Sequence, residues 1–374
     1  MQTRAAVLWS QGAPWSVETV ELDEPGPNEV LVRIAAAGVC HSDEHSVTGD
    51  NPSPYPVIGG HEGAGTVEQV GSAVTSVSVG DHVALSFLPS CGRCPSCVDG
   101  HQNLCDLGVH IVSGLALSDG GYRAHIGGQD LPMAFMLGAF AEHTVVNEAS
   151  IVKIDPDIPL DLACLASCGV GTGWGSAARA GDVRPGETVV VVGLGGIGMN
   201  AIQGARAAGA GAIVAVDPID WKRERAKIFG ATHSAPTIQA AVGLVSELTR
   251  GQMAHCAILA TGVAKSDEVS PTVNLVGKRG RVIVTAVAAL TQTSVDLNLV
   301  ELTFWEKTLR GSLYGSGNPR NEIPRLLQHY KRGELLLDEL ITKRYPLDDI
   351  NGAFEDLRAG RNIRGVLVMD QQSQ

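Results

Sequence analysis

The most constraining feature of this chain is a buried-strand pattern that runs straight into a glycine-rich turn. Residues 188–192 are a threonine and four valines, and a Gly-x-Gly-x-x-Gly motif follows at once. In such a motif the first glycine permits a tight turn, the second admits a pyrophosphate to the backbone, and the third lets helix and strand pack closely. The next helix then offers its N-terminus to the phosphates. The predicted dinucleotide-binding residues are Gly193, Gly195, Gly196, Ile197 and Gly198.

A second strand pattern, at 212–216, ends at Asp217, about 20 residues beyond the glycines, where the fingerprint requires an acid. A carboxylate there binds the ribose hydroxyls and repels a 2′-phosphate. The next three residues, 218–220, include no arginine to offset that repulsion. The sequence therefore predicts NAD as the cofactor in preference to NADP. Lys222 is a candidate for the adenosine ribose, with an ordinary surface lysine as the alternative.

Apolar runs alternate with helix-like stretches from about residue 171, which is the pattern of a parallel α/β sheet. Strands are predicted at 188–192, 212–216, 257–260 and 281–285, with helices at 197–208, 222–229 and 240–248. The first half instead shows short strands at 29–34, 65–70 and 82–86, separated by turns rich in proline and glycine. Two helices, 321–332 and 347–359, and a closing strand, 365–369, follow. The predicted fold class is α/β, with a doubly wound, parallel-sheet Rossmann domain and a second, mainly β domain.

Composition excludes several classes of function. The net charge of −12 and the pI of about 5.4 do not favour a nucleic-acid partner. The most apolar stretch, 188–212, contains seven glycines and is not expected to span a membrane. The N-terminus has no signal-peptide pattern, so a cytoplasmic protein is expected.

Four cysteines lie within fifteen residues in a C-x2-C-x2-C-x7-C pattern. Four thiolates so close together can surround one tetrahedral zinc ion and leave it no open position. Two disulfides are the alternative, but a chain of 374 residues in a reducing compartment favours the metal. The predicted ligands of this closed site are Cys91, Cys94, Cys97 and Cys105.

A second ligand set comes from distant points of the sequence. Cys40, His61 and Cys168 can hold a zinc ion with a vacant position for water or substrate. Cys164 competes with Cys168 for this role, but the flanking residues favour Cys168. Cys164 and Cys256 are therefore expected to be ordinary buried thiols.

These motifs, in this order and spacing, resemble the zinc-containing medium-chain alcohol dehydrogenases along nearly the whole chain. The likeness is carried by Gly-Gly-His-Glu-Gly-Ala-Gly at 59–65, the four-cysteine lobe, Cys-Gly-x-x-Thr-Gly at 168–173 and the glycine motif at 193–198. It implies a GroES-like catalytic domain at 1–170 that includes the structural-zinc lobe, an NAD-binding domain at 171–312, and a C-terminal part of the catalytic domain at 313–374. It also implies two zinc ions per chain and a homodimer or homotetramer.

Shorter segments, among them His-Ser-Asp-Glu-His at 41–45 and Gly-His-Gln-Asn-Leu-Cys at 100–105, resemble the actinobacterial-type branch assayed with nitrosodimethylaniline. Members of that branch are thought to retain NAD(H) and recycle it in place.

The resemblance also implies roles for single residues. Glu62 would sit behind the catalytic zinc and exchange in as a transient ligand, and Asp43 would orient His61. Ser42 and His45 would relay the alcohol proton, with a ribose hydroxyl of the cofactor between them. His41, which stands where many relatives have arginine, and Arg364 would lie near the cofactor phosphates, and Thr172 near the nicotinamide.

The predicted activity is reversible hydride transfer between a small-molecule alcohol, oxidised to the aldehyde or ketone, and NAD. Apolar residues around Phe87, Met136 and Leu137 suggest a hydrophobic primary alcohol. Two alternatives stay open at this point. One is a thiol-dependent formaldehyde dehydrogenase, for which no positive pocket is recognisable, and the other is a non-catalytic protein that binds zinc and a dinucleotide.

Overall fold

The computed structural model of the protein describes residues 1–369. The chain forms two compact units. The first comprises Met1–Cys168 and the residues from Asn318 onward, and the second comprises Gly169–Gly317. The unit boundaries fall two residues before and five residues after the sequence-based limits of 170 and 312.

Eighteen strands and eleven α-helices build the described part of the chain. The strands are β1 Gln2–Leu8, β2 Ser16–Leu22, β3 Glu29–Val39, β4 Val57–Ile58, β5 Gly63–Val70, β6 His82–Leu85, β7 Ala124–Ile126, β8 Gln129–Leu131, β9 His143–Asn147, β10 Ile151–Lys153, β11 Thr188–Val192, β12 Ala212–Val216, β13 His233–Ala235, β14 Ala254–Leu259, β15 Val276–Val284, β16 Thr308–Gly311, β17 Ile341–Pro346 and β18 Arg364–Val368. The helices are α1 His41–Thr48, α2 Pro95–Val98, α3 Leu160–Ala166, α4 Gly169–Gly175, α5 Gly196–Ala207, α6 Asp220–Phe229, α7 Ile238–Leu248, α8 Ser266–Val273, α9 Leu299–Phe304, α10 Pro319–Lys331 and α11 Ile350–Arg358.

The first unit contains two largely antiparallel sheets. One has the order β4-β1-β2-β7-β8, and the other has the order β10-β6-β5-β3-β18-β17 with β9 paired to β3. Alternate residues of β1 and β2, such as Ala5, Val7 and Val20, contribute to a core that is closed to water. This unit is the mainly β part of the fold that the sequence predicted.

The strand register of this unit brings distant residues to one end of the sheet. Ala37 of β3 pairs with Gly63 of β5, and Val39 of β3 pairs with Gly365 of β18. The residues that follow β3, precede β5 or begin β18 therefore lie at the same edge of the sheet. Those residues are Cys40, His61, Glu62 and Arg364.

Helix α1 follows Cys40 directly and is held by polar contacts, since most of its residues are polar. Three of its buried side chains are Asp43, Glu44 and His45. Glu44 accepts a hydrogen bond from Arg358 Nε at 2.6 Å, which ties α1 to α11. The position of α1 thus depends on paired polar groups.

The second unit is a Rossmann domain, which confirms the predicted fold class. Its six-stranded parallel sheet has the order β13-β12-β11-β14-β15-β16. Numbered within the unit this is 3-2-1-4-5-6, the order of dinucleotide-binding folds. All five residues of β11 are buried, as expected for a central parallel strand with both faces covered.

Sequence-based expectation and structure agree for most of these elements. Strands β11 and β12 have the predicted bounds, and α5, α6 and α7 begin one or two residues before the predicted helices. Strands β13 and β16 and helices α4, α8 and α9 of the second unit were not predicted, nor were several short strands of the first unit, such as β4, β7 and β8. No helix within residues 1–369 is long and apolar enough to cross a membrane.

Candidate active site

Four potential metal ligands from three parts of the first unit converge on one point. The ligand atoms of Cys40, His61, Glu62 and Cys168 all lie within 4.8 Å of one another. All four side chains are buried. Two thiols and an imidazole are the ligand set of an open, catalytic zinc site.

The orientation of His61 is fixed by Asp43, as predicted for an outer-shell carboxylate. Asp43 Oδ1 lies 3.0 Å from His61 Nδ1 and also accepts the Gly60 backbone N–H at 3.2 Å. This leaves His61 Nε2 for another partner, and within residues 1–369 that buried atom has no hydrogen-bond partner. A buried, unpaired imidazole nitrogen among two thiols fits a zinc ligand.

Glu62 lies behind these donors and is paired with an arginine. Arg364, which is 5% exposed, donates through Nη2 to Glu62 Oε2. Burial raises the pKa of Glu62 to about 7, although the Arg364 guanidinium opposes that shift. Gly38 is required here, because a Cβ at this position would overlap the Glu62 carboxylate. The structure thus places Arg364 beside the metal ligands, and its contact with cofactor phosphates stays a prediction.

The two thiols of this cluster differ in acidity. A hydrogen bond with Cys168 and the nearby His61 imidazole lower the pKa of Cys40 well below its usual value, against the effect of burial. The same hydrogen bond and burial raise the pKa of Cys168. One of the pair is therefore already disposed to be a thiolate, the form that binds metal.

The two predicted catalytic side chains, Ser42 and His45, lie on α1, three residues apart. Ser42 Oγ lies 3.7 Å from Cys40 Sγ, so its hydroxyl is next to the ligand cluster. His45 is one helical turn further on, and residues three apart share a helix face. His45 is buried, with 3% exposure, so its ring does not exchange protons directly with bulk water.

An aromatic wall borders His61. The rings of Phe87 and Phe135 lie 5.6 Å and 4.5 Å from the His61 ring. Phe135 has a left-handed φ of 55°, a strained conformation for a bulky residue that is typical of functional sites. Sequence reasoning named Met136 and Leu137 but missed Phe135, and Leu137 proves to be fully buried.

The four-cysteine lobe forms the second potential metal site. Sγ atoms of Cys91 and Cys97, and those of Cys94 and Cys105, lie 3.9 Å apart. That separation is almost twice a disulfide bond, and all four thiols are free. Backbone N–H groups of residues 93 and 94 lower the pKa of Cys91 to about 6, whereas burial raises the pKa of Cys105 to about 12. Within residues 1–369, this and the Cys40 cluster are the groups of donors close enough to hold a metal.

The glycine loop of the second unit has the geometry of a phosphate cradle. Gly193 has a φ of 91°, which favours glycine. A Cβ at Gly198 would overlap the Gly193 carbonyl oxygen, so the turn requires glycine there. In contrast, a Cβ at Gly195 would meet nothing within 4 Å. Gly196 and Ile197 open α5 behind this free space, where a pyrophosphate is expected.

Asp217 lies at the end of β12 and is tied to the same loop. Its Oδ2 accepts the Leu194 backbone N–H at 2.9 Å. Burial lowers the pKa of Lys222, although Asp217 opposes that shift, and the lysine is 9% exposed, so it is not an ordinary surface residue. The sequence-based search for an arginine ended at Asp220 and missed Arg223, which donates to the Asp217 carbonyl oxygen at 2.6 Å and to Asp220 Oδ1 at 2.7 Å.

Two other residues predicted to contact the cofactor are His41 and Thr172, and these contacts stay predictions. His41 is the first residue of α1, immediately after Cys40. Thr172 is buried in α4 of the second unit, where its carbonyl oxygen accepts the Ser176 hydroxyl at 2.7 Å. Cys164 and Cys256 are buried thiols outside both clusters, as expected.

Comparison with known proteins identifies the family. The family model described as alcohol dehydrogenase GroES-like domain matches residues 26–156, and the model described as zinc-binding dehydrogenase matches residues 196–332. The first match contains His61, Glu62 and the four-cysteine lobe.

Full-length relatives agree with these matches. The chain is 47% identical to alcohol dehydrogenase B of Mycobacterium tuberculosis, over 98% of each chain. It is 48% identical to an NDMA-dependent alcohol dehydrogenase of Amycolatopsis methanolica, over 98% of this chain and 99% of the relative. The crystal structure of benzyl alcohol dehydrogenase from Acinetobacter calcoaceticus superimposes with a TM-score of 0.92 at 31% identity, covering 99% of this chain and all of that one. The chain therefore belongs to the zinc-binding medium-chain alcohol dehydrogenases and is an oxidoreductase that acts on alcohols.

Proposed function

We propose that this protein oxidises hydrophobic primary alcohols, aromatic ones in particular, with NAD as hydride acceptor and two zinc ions per chain. The observation that carries the proposal is the cluster of Cys40, His61, Glu62 and Cys168 beside an aromatic wall. Donor chemistry supports the reaction, and the aromatic surroundings support the substrate class.

The catalytic zinc would be held by Cys40, Cys168 and His61 Nε2, and Glu62 would be a transient ligand. When bound there, zinc supplies the Lewis acidity that favours loss of the alcohol's hydroxyl proton. Arg364 pairs with Glu62 and so favours a three-ligand site, with one position left for substrate. The lobe cysteines Cys91, Cys94, Cys97 and Cys105 would hold the second zinc, whose role is structural.

NAD is favoured by the carboxylate of Asp217, which can bind ribose hydroxyls but repels a 2′-phosphate. A nicotinamide dinucleotide bound to the glycine loop supplies the hydride acceptor. Arg223 does not reverse this preference, since its guanidinium is engaged by Asp220 and by the Asp217 carbonyl oxygen.

Ser42 and His45 are proposed to carry the alcohol's proton away from the buried site. Ser42 is beside the ligand cluster and accepts the proton first, and His45 is the base further along α1. His45 is buried and Ser42 is half-buried beside a desolvated cluster, so a defined route is needed, because bulk water has almost no direct access to the ring of His45.

The substrate class follows from the rings beside His61. Phe87 and Phe135 are 5.9 Å apart and nearly perpendicular. An apolar or aromatic substituent packs well against such surfaces. The structural likeness to a benzyl alcohol dehydrogenase supports the same class.

A homodimer is proposed from an exposed apolar surface on the second unit. Helix α9 exposes 67% of Leu299, 64% of Val300 and 80% of Phe304, and β16 next to it is the edge strand of the sheet. Contiguous apolar exposure and a bare strand edge are typical of surfaces that another subunit covers.

The eight free thiols support the expected cytoplasmic setting.

Cys97→Ser should lower the zinc content from two ions to one per chain and lower the melting temperature, because a closed thiolate site contributes to folding directly. Metal analysis and calorimetry measure both effects. Cys256→Ala, a buried thiol outside the clusters, should keep both ions. Two ions and unchanged melting in Cys97→Ser would contradict the structural site.

Asp217→Ala should raise the Kd for NAD about 10-fold through loss of hydrogen bonds to the ribose, and should change the Kd for NADP less. Titration calorimetry with both nucleotides gives the ratio. Asp182→Ala, an exposed acid paired with Arg184, serves as the control. An unchanged NAD/NADP ratio would show that Asp217 is not the selector.

Phe135→Ala should reduce kcat/KM for benzyl alcohol about 10-fold or more, since an apolar contact of this size discriminates between substrates by that order. Ethanol is the internal control, because it is too small to fill the same surface, and its kcat/KM should change much less. Equal losses for both alcohols would place Phe135 outside the substrate pocket.

His45→Gln should retain zinc, cofactor and fold but slow alcohol oxidation about 10- to 100-fold, because the relay loses its base. Small buffer bases should restore part of the rate by accepting the proton instead. Ser42→Ala should cost more, since it removes the first acceptor. His125→Gln, on β7, is the control, and wild-type rates in His45→Gln would end the role of His45.

A further inference from the structure

The proposed relay reaches His45, but that residue is not its contact with water. The His45 side chain exposes 4% of its surface. A proton that arrives there has to leave through a neighbouring group or through water that such a group admits. The group beside the imidazole therefore influences how well His45 can act.

A carboxylate lies on one side of this ring. Asp50 Oδ2 is 3.5 Å from His45 Nδ1, and the Asp50 side chain is 31% exposed. Asp50 thus lies between a buried imidazole and the solvent. Since Nδ1 faces this carboxylate, Nε2 is the nitrogen that remains for proton exchange on the other side of the ring.

The end of α1 holds Asp50 in this place. Gly49 adopts a left-handed φ of 82° and its N–H donates to the His45 carbonyl oxygen at 2.9 Å, so the chain turns back under the helix. A side chain at Gly49 would overlap Gln11, which favours glycine at the turn. Asp50 is therefore directed towards His45 by the helix terminus.

The Asp50 carboxylate is also oriented and kept ionised. Thr48 Oγ1 donates to Asp50 Oδ2 at 2.7 Å, the same oxygen that faces His45. This hydrogen bond, together with the weaker effect of His45, lowers the pKa of Asp50. A fixed negative charge close to Nδ1 favours a proton on that nitrogen and stabilises the imidazolium.

We propose that Asp50 is a positioning residue for the relay, which holds His45 with its proton on Nδ1 and keeps Nε2 free to accept the alcohol's proton. The proposal rests on the relay assigned to His45 under the proposed function. Uptake of a proton at Nε2 gives the imidazolium, whose charge the Asp50 carboxylate balances. Release of that Nε2 proton to water returns the ring to its neutral form with Nδ1 still protonated, and no other bond changes.

Spectroscopy tests the tautomer without any turnover. In protein labelled with nitrogen-15 in its histidines, protonated and bare ring nitrogens have different chemical shifts, and the His45 signals are those lost in His45→Gln. Above neutral pH the wild type should show a protonated Nδ1 and a bare Nε2. Asp50→Ala should shift His45 towards the other tautomer, and Asp50→Glu should restore the first. A bare Nδ1 in the wild type would overturn the proposal.

Kinetics of the zinc- and NAD-loaded enzyme test the consequence. Asp50→Ala should lower kcat for alcohol oxidation about 10-fold, the lower end of the usual cost of losing an outer-shell partner, with KM for the alcohol nearly unchanged. Asp50→Glu should recover most of this loss. Thr48→Val keeps the carboxylate but removes its orienting hydroxyl, and should lower kcat by a smaller factor. Asp130→Ala, which breaks the exposed His125–Asp130 pair, is the matched control and should have no effect.

The double variant Asp50→Ala/His45→Gln separates this inference from the relay itself. If Asp50 acts through His45, Asp50→Ala should cause no further loss in the His45→Gln background. Suppose that His45→Gln lowers kcat, but that Asp50→Ala changes kcat by the same factor in both backgrounds or in neither. The relay through His45 then stands, and the role given to Asp50 is wrong. If His45→Gln matches the wild type, the relay and the role of Asp50 both fail.

Discussion

Charge compensation in a buried cluster is the constraint on which the first unit depends. Glu62 and Asp43 are 0% and 2% exposed, and a buried carboxylate is destabilising unless it is paired. Arg364 pairs with Glu62, and His61 with Asp43. The cluster also contains two thiols, and within residues 1–369 the buried His61 Nε2 atom has no hydrogen-bond partner, so a zinc ion there would complete an arrangement that the protein groups alone leave unsatisfied.

Strand register produces this arrangement from residues far apart in the sequence, since Glu62 and Arg364 are separated by 302 positions. Because β3 pairs with β5 on one side and β18 on the other, the end of one strand and the starts of two others coincide. Gly38 is the position where this closeness becomes a sequence requirement, since any side chain there would displace Glu62. A glycine inside a strand thus reports on the metal site as much as on the sheet.

The sequence predicted what local patterns encode. The Rossmann sheet, the glycine loop and both ligand sets follow from spacing, strand length and residue type, and the family assignment made from them is confirmed. Several short elements were not predicted, and among them β13 and β16 lack an apolar pattern and α8 contains Pro271. Contacts that depend on tertiary structure also escaped. Phe135 lies beside named pocket residues, and Arg223 directly follows Lys222, which was named, yet neither could be placed without coordinates.

The two units position their binding groups in different ways. In the second, parallel strands end beside a helix N-terminus, Gly193 and Gly198 allow the tight turn, and Gly195 leaves open backbone for a phosphate. In the first, α1 has too few apolar residues to be held by packing alone. The Glu44–Arg358 and Asp43–His61 pairs hold the helix in place instead. A helix held by such pairs keeps Ser42 and His45 in fixed positions, and a substitution in either pair would change the site before it changed the fold. Function and local stability therefore share the same residues on α1.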